Sequence, residues 1–334
     1  MPFGQLPDGG EVRLARISAY GMALSVISWG ASVQDLRLDG IEHPLVLGFP
    51  TLAPYLTAEG RYFGAIVGRV ANRIAGGRIQ IDGQTHQLDR NEAGQTTLHG
   101  GAQGTGQRNW RRIDIGPAHV AYADQLPDGH MGFPGAMLVR VTYRILPGPV
   151  LSIDILATST AQTVCNFAQH SYFNLDGSAG IANHRLTSPA SDYLPVDAQQ
   201  IPLGAPAPVQ GTALDFRHPV RLGERLDGPA IDHNLCLAQH RSRQPRPVAT
   251  LRSRSLQMAI ASTEPGLQVY AGDHLRPGSP GLAGQPYGRH AGIALEPQLW
   301  PDAPHHPGYP SIALAPGQIY HQTTLLQFSR VRAS

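Results

Sequence analysis

The stretch "GRIQIDGQTHQL", residues 77–88, is two short runs of alternating residues joined by Asp82-Gly83. An Asp-Gly pair tolerates the positive φ of a two-residue type I′ turn, so the segment predicts a β-hairpin. A second pair, Asp39-Gly40, stands between "QDLRL" and "IEHPLVLG" and predicts another. Further alternating runs are "AMLVRVTYRI" from Ala136, "LSIDILATS" from Leu151, "LQMAIAST" from Leu256 and "LQVYAG" from Leu267. The 38 glycines and 29 prolines punctuate the chain every few residues, and no long stretch keeps the three-and-four apolar spacing of an amphipathic helix. Many short strands without helices between them predict an antiparallel all-β sandwich or barrel.

No tandem repeat or flexible linker divides the 334 residues, so one domain over 1–334 is expected. The Pro- and Gly-rich stretch from Ala190 to Pro219 reads as a long functional connection rather than a hinge. Lys+Arg 26 against Asp+Glu 24 leaves a formal charge of +2 without a basic stripe, which argues against nucleic acid as a partner. The densest basic stretch, "QHRSRQPRP" from Gln239, reads as a solvated hairpin loop.

Arginine carries all of that positive charge, because the chain has no lysine. Schiff-base catalysis, pyridoxal phosphate attachment and a phosphate-loop lysine are thereby excluded. Two distant cysteines, Cys165 and Cys236, are too few to staple the chain and are expected as free thiols. The N-terminal "ISAYGMALSVISWGASV" is broken by serines, glycines and Trp29, so it reads as strand-turn-strand rather than a secretory segment. No run approaches the roughly 18 apolar residues of a membrane span. No membrane association and a cytoplasmic location are the expectations. His305-His306 are adjacent on an extended segment, point apart, and are expected in a solvated loop rather than on a metal.

The segment "TVCNFAQHSYFNLDG", residues 163–177, carries the first candidate for chemistry. With a period of two, Cys165, Phe167, Phe173 and Leu175 share one face, and Asn166, Ala168, His170, Tyr172 and Asn174 share the other. Periodicity leaves His170 open between a histidine satisfied at a sheet surface and a working acid. In "GIALEPQLW", Ile293, Leu295 and Leu299 share one face while Glu296, Gln298 and Trp300 share the other, a carboxylate beside a prospective aromatic platform. "EPGLQVYAG" sets Gln268 and Tyr270 opposite Leu267 and Val269.

Taken in order, "YFGAIVGRVANRIAGGRIQIDGQTHQL", "TTLHGG", "QHSYFNLDG", "YLPVDAQQIPLG", "AIDHNLCL" and "ALEPQLWPDAPHHPGYPS" resemble the aldose 1-epimerase, or galactose mutarotase, family across nearly the whole chain. The resemblance implies an all-β supersandwich, galactose mutarotase-like, that interconverts the α and β anomers of free aldoses without metal or organic cofactor. It implies His170 as general acid, Glu296 as general base and His99 as a second catalytic histidine. Asn72, Arg73, Tyr172, Asp232 and Gln268 are implied as substrate contacts. A monosaccharide is the implied partner, in a monomer or homodimer.

The chain departs from the family pattern in two places. Ala168-Gln169 stand where the family commonly has Thr-Asn, and Pro297 stands where it commonly has Thr. Neither change removes a reacting group, and both leave the preferred aldose open. Three rivals remain on sequence: a non-catalytic sugar-binding or sensing sandwich, an epimerase of phosphorylated sugars, and a glycosidase, which would use two carboxylates where the resemblance supplies His and Glu.

Overall fold

The protein is described by a computed structural model over residues 1–331. Every regular element among the described residues is a β-strand or a short 3-10 turn, and every pairing of named strands is antiparallel. The chain is an all-β, large antiparallel sandwich.

The largest sheet has nine strands, in the order Arg111–Gly116, His119–Leu126, Met137–Leu146, Val150–Ser159, Tyr320–Arg330, Leu256–Ser262, Arg246–Arg252, Arg185–Thr187 and Val220–Arg221. A six-stranded sheet runs Tyr172–Phe173, Ile293–Gln298, Gly266–Tyr270, Asp232–Cys236, Asp192–Tyr193 and Ala207–Pro208. The N-terminal strands Pro2–Gln5, Glu11–Ala19, Met22–Ile27 and Ser32–Leu38 form a third, four-stranded sheet.

One core joins all three sheets: Leu24, Val26 and Leu36 meet Val141, Ile153 and Leu326, which meet Leu267, Val269 and Leu295. Each such side chain contributes about 1.5–3 kcal/mol on full burial. In the strand Met137–Leu146 Leu138, Arg140 and Arg144 are exposed between buried neighbours, as expected of a sheet with one face in water. The strand Ile293–Gln298 is buried at every position. Its second face therefore looks into the protein, and that is the face carrying Glu296.

The Asp82-Gly83 hairpin forms, with φ of 51° and 77°. Tyr20-Gly21, φ 50° and 76°, makes the equivalent turn inside the predicted N-terminal strand-turn-strand. At Asp39-Gly40 the chain turns, but "IEHPLVLG" does not continue as a named strand; it is held by a Val46–Phe173 bridge and by single backbone bonds such as Leu45 N–H to Leu36 O and Leu47 N–H to Tyr172 O. Pro44, which has no N–H to give a ladder, lies in its middle.

The segment 163–177 is not one strand but three two-residue pieces, Thr163–Val164, Ala168–Gln169 and Tyr172–Phe173, each paired with a different partner. The two faces read from periodicity survive this break: Cys165, Phe167, Phe173 and Leu175 enter the main core, while Ala168 and Tyr172 pack in two separate clusters on the other side.

The loop "QHRSRQPRP" is less solvated than expected. Arg241 donates to the fully buried carboxylate of Glu264 at 2.7 Å and lies over the Tyr320 ring at 4.2 Å. The His305-His306 loop is likewise held to the body, with both rings turned to Asp302, itself 2 % exposed.

Candidate active site

Glu296 and His170 come from neighbouring segments of the six-stranded region. Residues Tyr172 and Phe173 pair with Ala294 and Ile293, and continuing that register sets His170 across from Glu296. His170 Nε2 lies 3.6 Å from Glu296 Oε1. That distance is too long for a hydrogen bond. Both side chains are almost fully buried, and His170 Nδ1 and Glu296 Oε2 have no protein partner.

Burial disfavours charge on both groups, in opposite senses. It pushes the His170 imidazole down to about 4. It raises the Glu296 carboxyl well above its ordinary range; the nearby charge of Asp232 adds to the rise and Arg73 opposes it. Both displacements favour the neutral forms, a neutral imidazole beside a protonated carboxyl.

His99 ends the short strand Thr97–Leu98 in a left-handed conformation, φ 51°. The following Gly100 makes this turn possible, because a Cβ there would meet Gly68 O at 2.1 Å. The ring lies 5.3 Å from that of His170, edge to face. Its Nδ1 accepts the backbone N–H of Asn72 at 3.1 Å. Burial, reinforced by His170 and Arg73, keeps the ring well below its usual pKa and so neutral. A neutral ring that accepts at Nδ1 carries its proton on Nε2, which makes His99 a fixed donor.

Asn72 is also left-handed, φ 62°, a conformation its short amide tolerates. Its Oδ1 accepts the Arg73 N–H at 2.9 Å. The Arg73 guanidinium is gripped by both oxygens of Glu92, at 2.8 Å each, and its Nη1 stands 3.9 Å from Asp232 Oδ2. Asp232 accepts Gln268 Nε2 at 2.6 Å, and Gln268 lies directly across the ladder from Glu296. Gln268 Oε1 is buried without a partner. A chain Glu92–Arg73–Asp232–Gln268 thus borders Glu296 and offers charged and amide groups to hydroxyls.

A cleft of about 590 Å³ opens beside this group. Tyr62, Phe63, Tyr172, Tyr270 and Leu275 form its apolar side, and Arg61, His274 and Arg276 its outer part. Tyr172 and Tyr62 each line the cleft and pack on His170, with centroids at 5.1 Å and 6.0 Å. Tyr62 also contacts the His99 ring at 4.6 Å.

All eight site residues expected from sequence thus gather in one neighbourhood. Trp300 does not join them as a platform: it is 1 % exposed, donates Nε1 to Pro265 O at 3.1 Å and packs on Tyr309. The aromatic surface comes instead from Tyr62, Phe63 and Tyr270. Tyr270 shares the strand face of Gln268 read from sequence, whereas Glu92, Tyr62 and Phe63 carry no such local pattern. Tyr62 heads the block "YFGAIVGRV" and Glu92 falls just before "TTLHGG", so position within the matched blocks was the available signal. Among the described residues, no group of three His, Cys, Asp or Glu side chains is arranged to hold a metal ion.

Fold and site together define a large antiparallel sandwich with a dry histidine–carboxylate pair beside an aromatic cleft. The model of the aldose 1-epimerase family matches residues 13–327. Galactose mutarotase of Rattus norvegicus is 39 % identical over 98 % of this chain and 97 % of its own length. Aldose 1-epimerase of Escherichia coli (strain K12) is 33 % identical over 96 % of each. The solved structure of an aldose epimerase homologue from C. elegans superposes with a TM-score of 0.88 at 28 % identity, covering 96 % of this chain and 100 % of that one. The chain belongs to the aldose 1-epimerase family.

Proposed function

We propose that the chain interconverts the α and β anomers of free aldoses at the His170–Glu296 pair. The observation that carries this reading is the arrangement of the pair itself, two buried proton-exchanging groups 3.6 Å apart with opposite displacements of their affinities. Opening a pyranose needs one proton delivered to the ring oxygen and one removed from the anomeric hydroxyl. His170 delivers the first from Nε2 and Glu296 takes the second. After rotation about the bond from the aldehyde carbon to its neighbour, the roles reverse and the ring closes on the other face.

Burial favours the tautomer with the proton on Glu296, so opening starts once it has crossed to His170. Sugar hydroxyls donating to Glu296 favour that tautomer, as does the Arg73 charge. His99, fixed as an Nε2–H donor, supports the ring oxygen. Positioned acid–base groups of this kind supply roughly 10² to 10⁴ in rate. Asn72, Arg73, Asp232 and Gln268 bind hydroxyls, and Tyr172 packs against the apolar side of the ring.

Site residues run from Asn72 to Glu296, and one core of residues from all three sheets underlies them, which supports a single domain. Among the described residues no helix is long and apolar enough to cross a membrane. Both cysteines are free, as suits a reducing cytoplasm. Polarimetry on freshly dissolved α-D-glucose and α-D-galactose tests the reading. Acceleration over buffer is expected for at least one of them; none across a panel of aldoses would sink it.

A further inference from the structure

The segment carrying His170 and the strand carrying Glu296 are joined by ladder pairs only at Tyr172–Ala294 and Phe173–Ile293. Continuing the same register sets Gln169 across from Pro297 and Phe167 across from Leu299, but no ladder forms there. Pro297 has no N–H to give. The backbone on the other side of Ala168–Gln169 pairs with Ile66–Val67 instead.

Side chains fill the gap. The Asn166 carboxamide accepts the Leu299 N–H at 2.9 Å and donates to Leu299 O at 3.2 Å, the two bonds a strand neighbour would make. The Tyr320 hydroxyl accepts the Phe167 N–H at 3.1 Å and donates to Gln322 Oε1 at 2.8 Å; Gln322 Nε2 then donates to Pro297 O at 2.9 Å. Tyr320 and Gln322 stand two apart on one strand of the opposite sheet, so they share its inward face. Asn166, Tyr320 and Gln322 are all buried.

We propose that Asn166, Tyr320 and Gln322 are positioning residues that replace the missing ladder and set the spacing of His170 and Glu296. The proposal rests on the acid–base reading of that pair. Phe167 lies three residues before His170 and Pro297 directly follows Glu296, so the bridge Phe167–Tyr320–Gln322–Pro297 spans the two catalytic segments from behind. Two of the residues that depart from the family pattern, Gln169 and Pro297, belong to the same place. Gln169, Pro297 and Gln322 line one small cavity on the side away from the sugar, and the Gln169 amide is spent on Gly64 O and Ser171 Oγ. Gln169 and Pro297 therefore act on the support of the pair, whereas Ala168 packs with Tyr62 on the side of the cleft.

The test is Tyr320→Phe, which keeps the ring over Arg241 and removes only the hydroxyl. Small errors in placing reacting groups are costly, so kcat is expected to fall at least about ten-fold while KM stays within about two-fold. A looser gap admits water, so the His170 titration followed by NMR moves up from about 4 toward its ordinary value. Should Tyr320→Phe fail to fold, Gln322→Met removes the same link from its other end. A purely structural role would lower Tm while leaving kcat, KM and the His170 titration unchanged, and that result overturns the proposal. If the wild-type chain accelerates no mutarotation, the proposed function fails on its own account. The NMR titration still decides on the bridge, because it does not depend on turnover.

Discussion

Turnover by this chain is expected to persist far below the pH at which an ordinary histidine protonates. His170 is 5 % exposed, its Nδ1 has no partner, and burial takes it from 6.5 to about 4. At 1.36 kcal/mol per unit, that displacement is a bias of about 3 kcal/mol against the imidazolium. Glu296 is displaced the other way by the same dryness. Between the two values the pair holds one proton, and the pair, rather than either residue, is the titrating species. Ring opening needs one proton given and one vacancy to receive another, so this singly protonated pair is the competent form whichever atom holds the proton. The profile of kcat/KM reports the free enzyme. Its acid limb should appear only where a second proton joins the pair, at about pH 4, and its alkaline limb above the raised Glu296 value. Polarimetry from about pH 4 to about pH 9, with the buffer rate subtracted at each point, measures this directly. An acid limb at histidine's ordinary value of about 6.5 would refute the reasoning, because it would mean that His170 titrates as a solvated ring.

Other consequences follow from the same site. Glu296→Gln should lower kcat by about 10² to 10⁴ yet raise Tm near neutral pH. With a raised folded value, the carboxyl destabilises the native state as pH climbs above its unfolded range, so the gain in Tm should vanish near pH 4.5; a variant less stable at neutral pH contradicts the burial argument. Glu92→Gln breaks the two-pronged grip on Arg73 and should raise KM about ten-fold, equivalent to about 1.4 kcal/mol, with kcat little changed. An unchanged KM would remove Arg73 from the sugar contacts. Asp302 raises the pKa of His305, a contribution present below about pH 6.5 and lost as pH rises through the raised value. Asp302→Asn should therefore cost more Tm at about pH 6 than at about pH 8, and calorimetry showing equal losses would contradict the pairing.

The strand faces were legible wherever the chain stays extended. Leu267 and Val269 against Gln268, and Ile293 and Leu295 against Glu296, follow the period of two because neighbouring side chains of a pleated strand must point apart. The same rule failed at Trp300, since the strand ends at Gln298 and parity carries no information beyond it. It also ran past the breaks in 163–177, where three short ladders to different partners, with buried side chains between them, hold the segment. Partnerships across long sequence separations were not readable: Glu92 with Arg73 and Asp232, Arg241 with Glu264, or Tyr320 with Phe167. Each depends on how three sheets close on one core, which no local pattern encodes. The resemblance named the eight site residues, while the structure supplied the burial of His99, His170 and Glu296 and the contacts that surround them.

The most direct test of the central claim is anomer exchange at equilibrium, read by NMR on C1-labelled aldose with wild-type chain, His170→Asn and Glu296→Gln. The account predicts exchange far above buffer for the wild type. Each variant should retain the fold and sugar binding and lose exchange by about 10² to 10⁴. Near-wild-type exchange in either variant would contradict it.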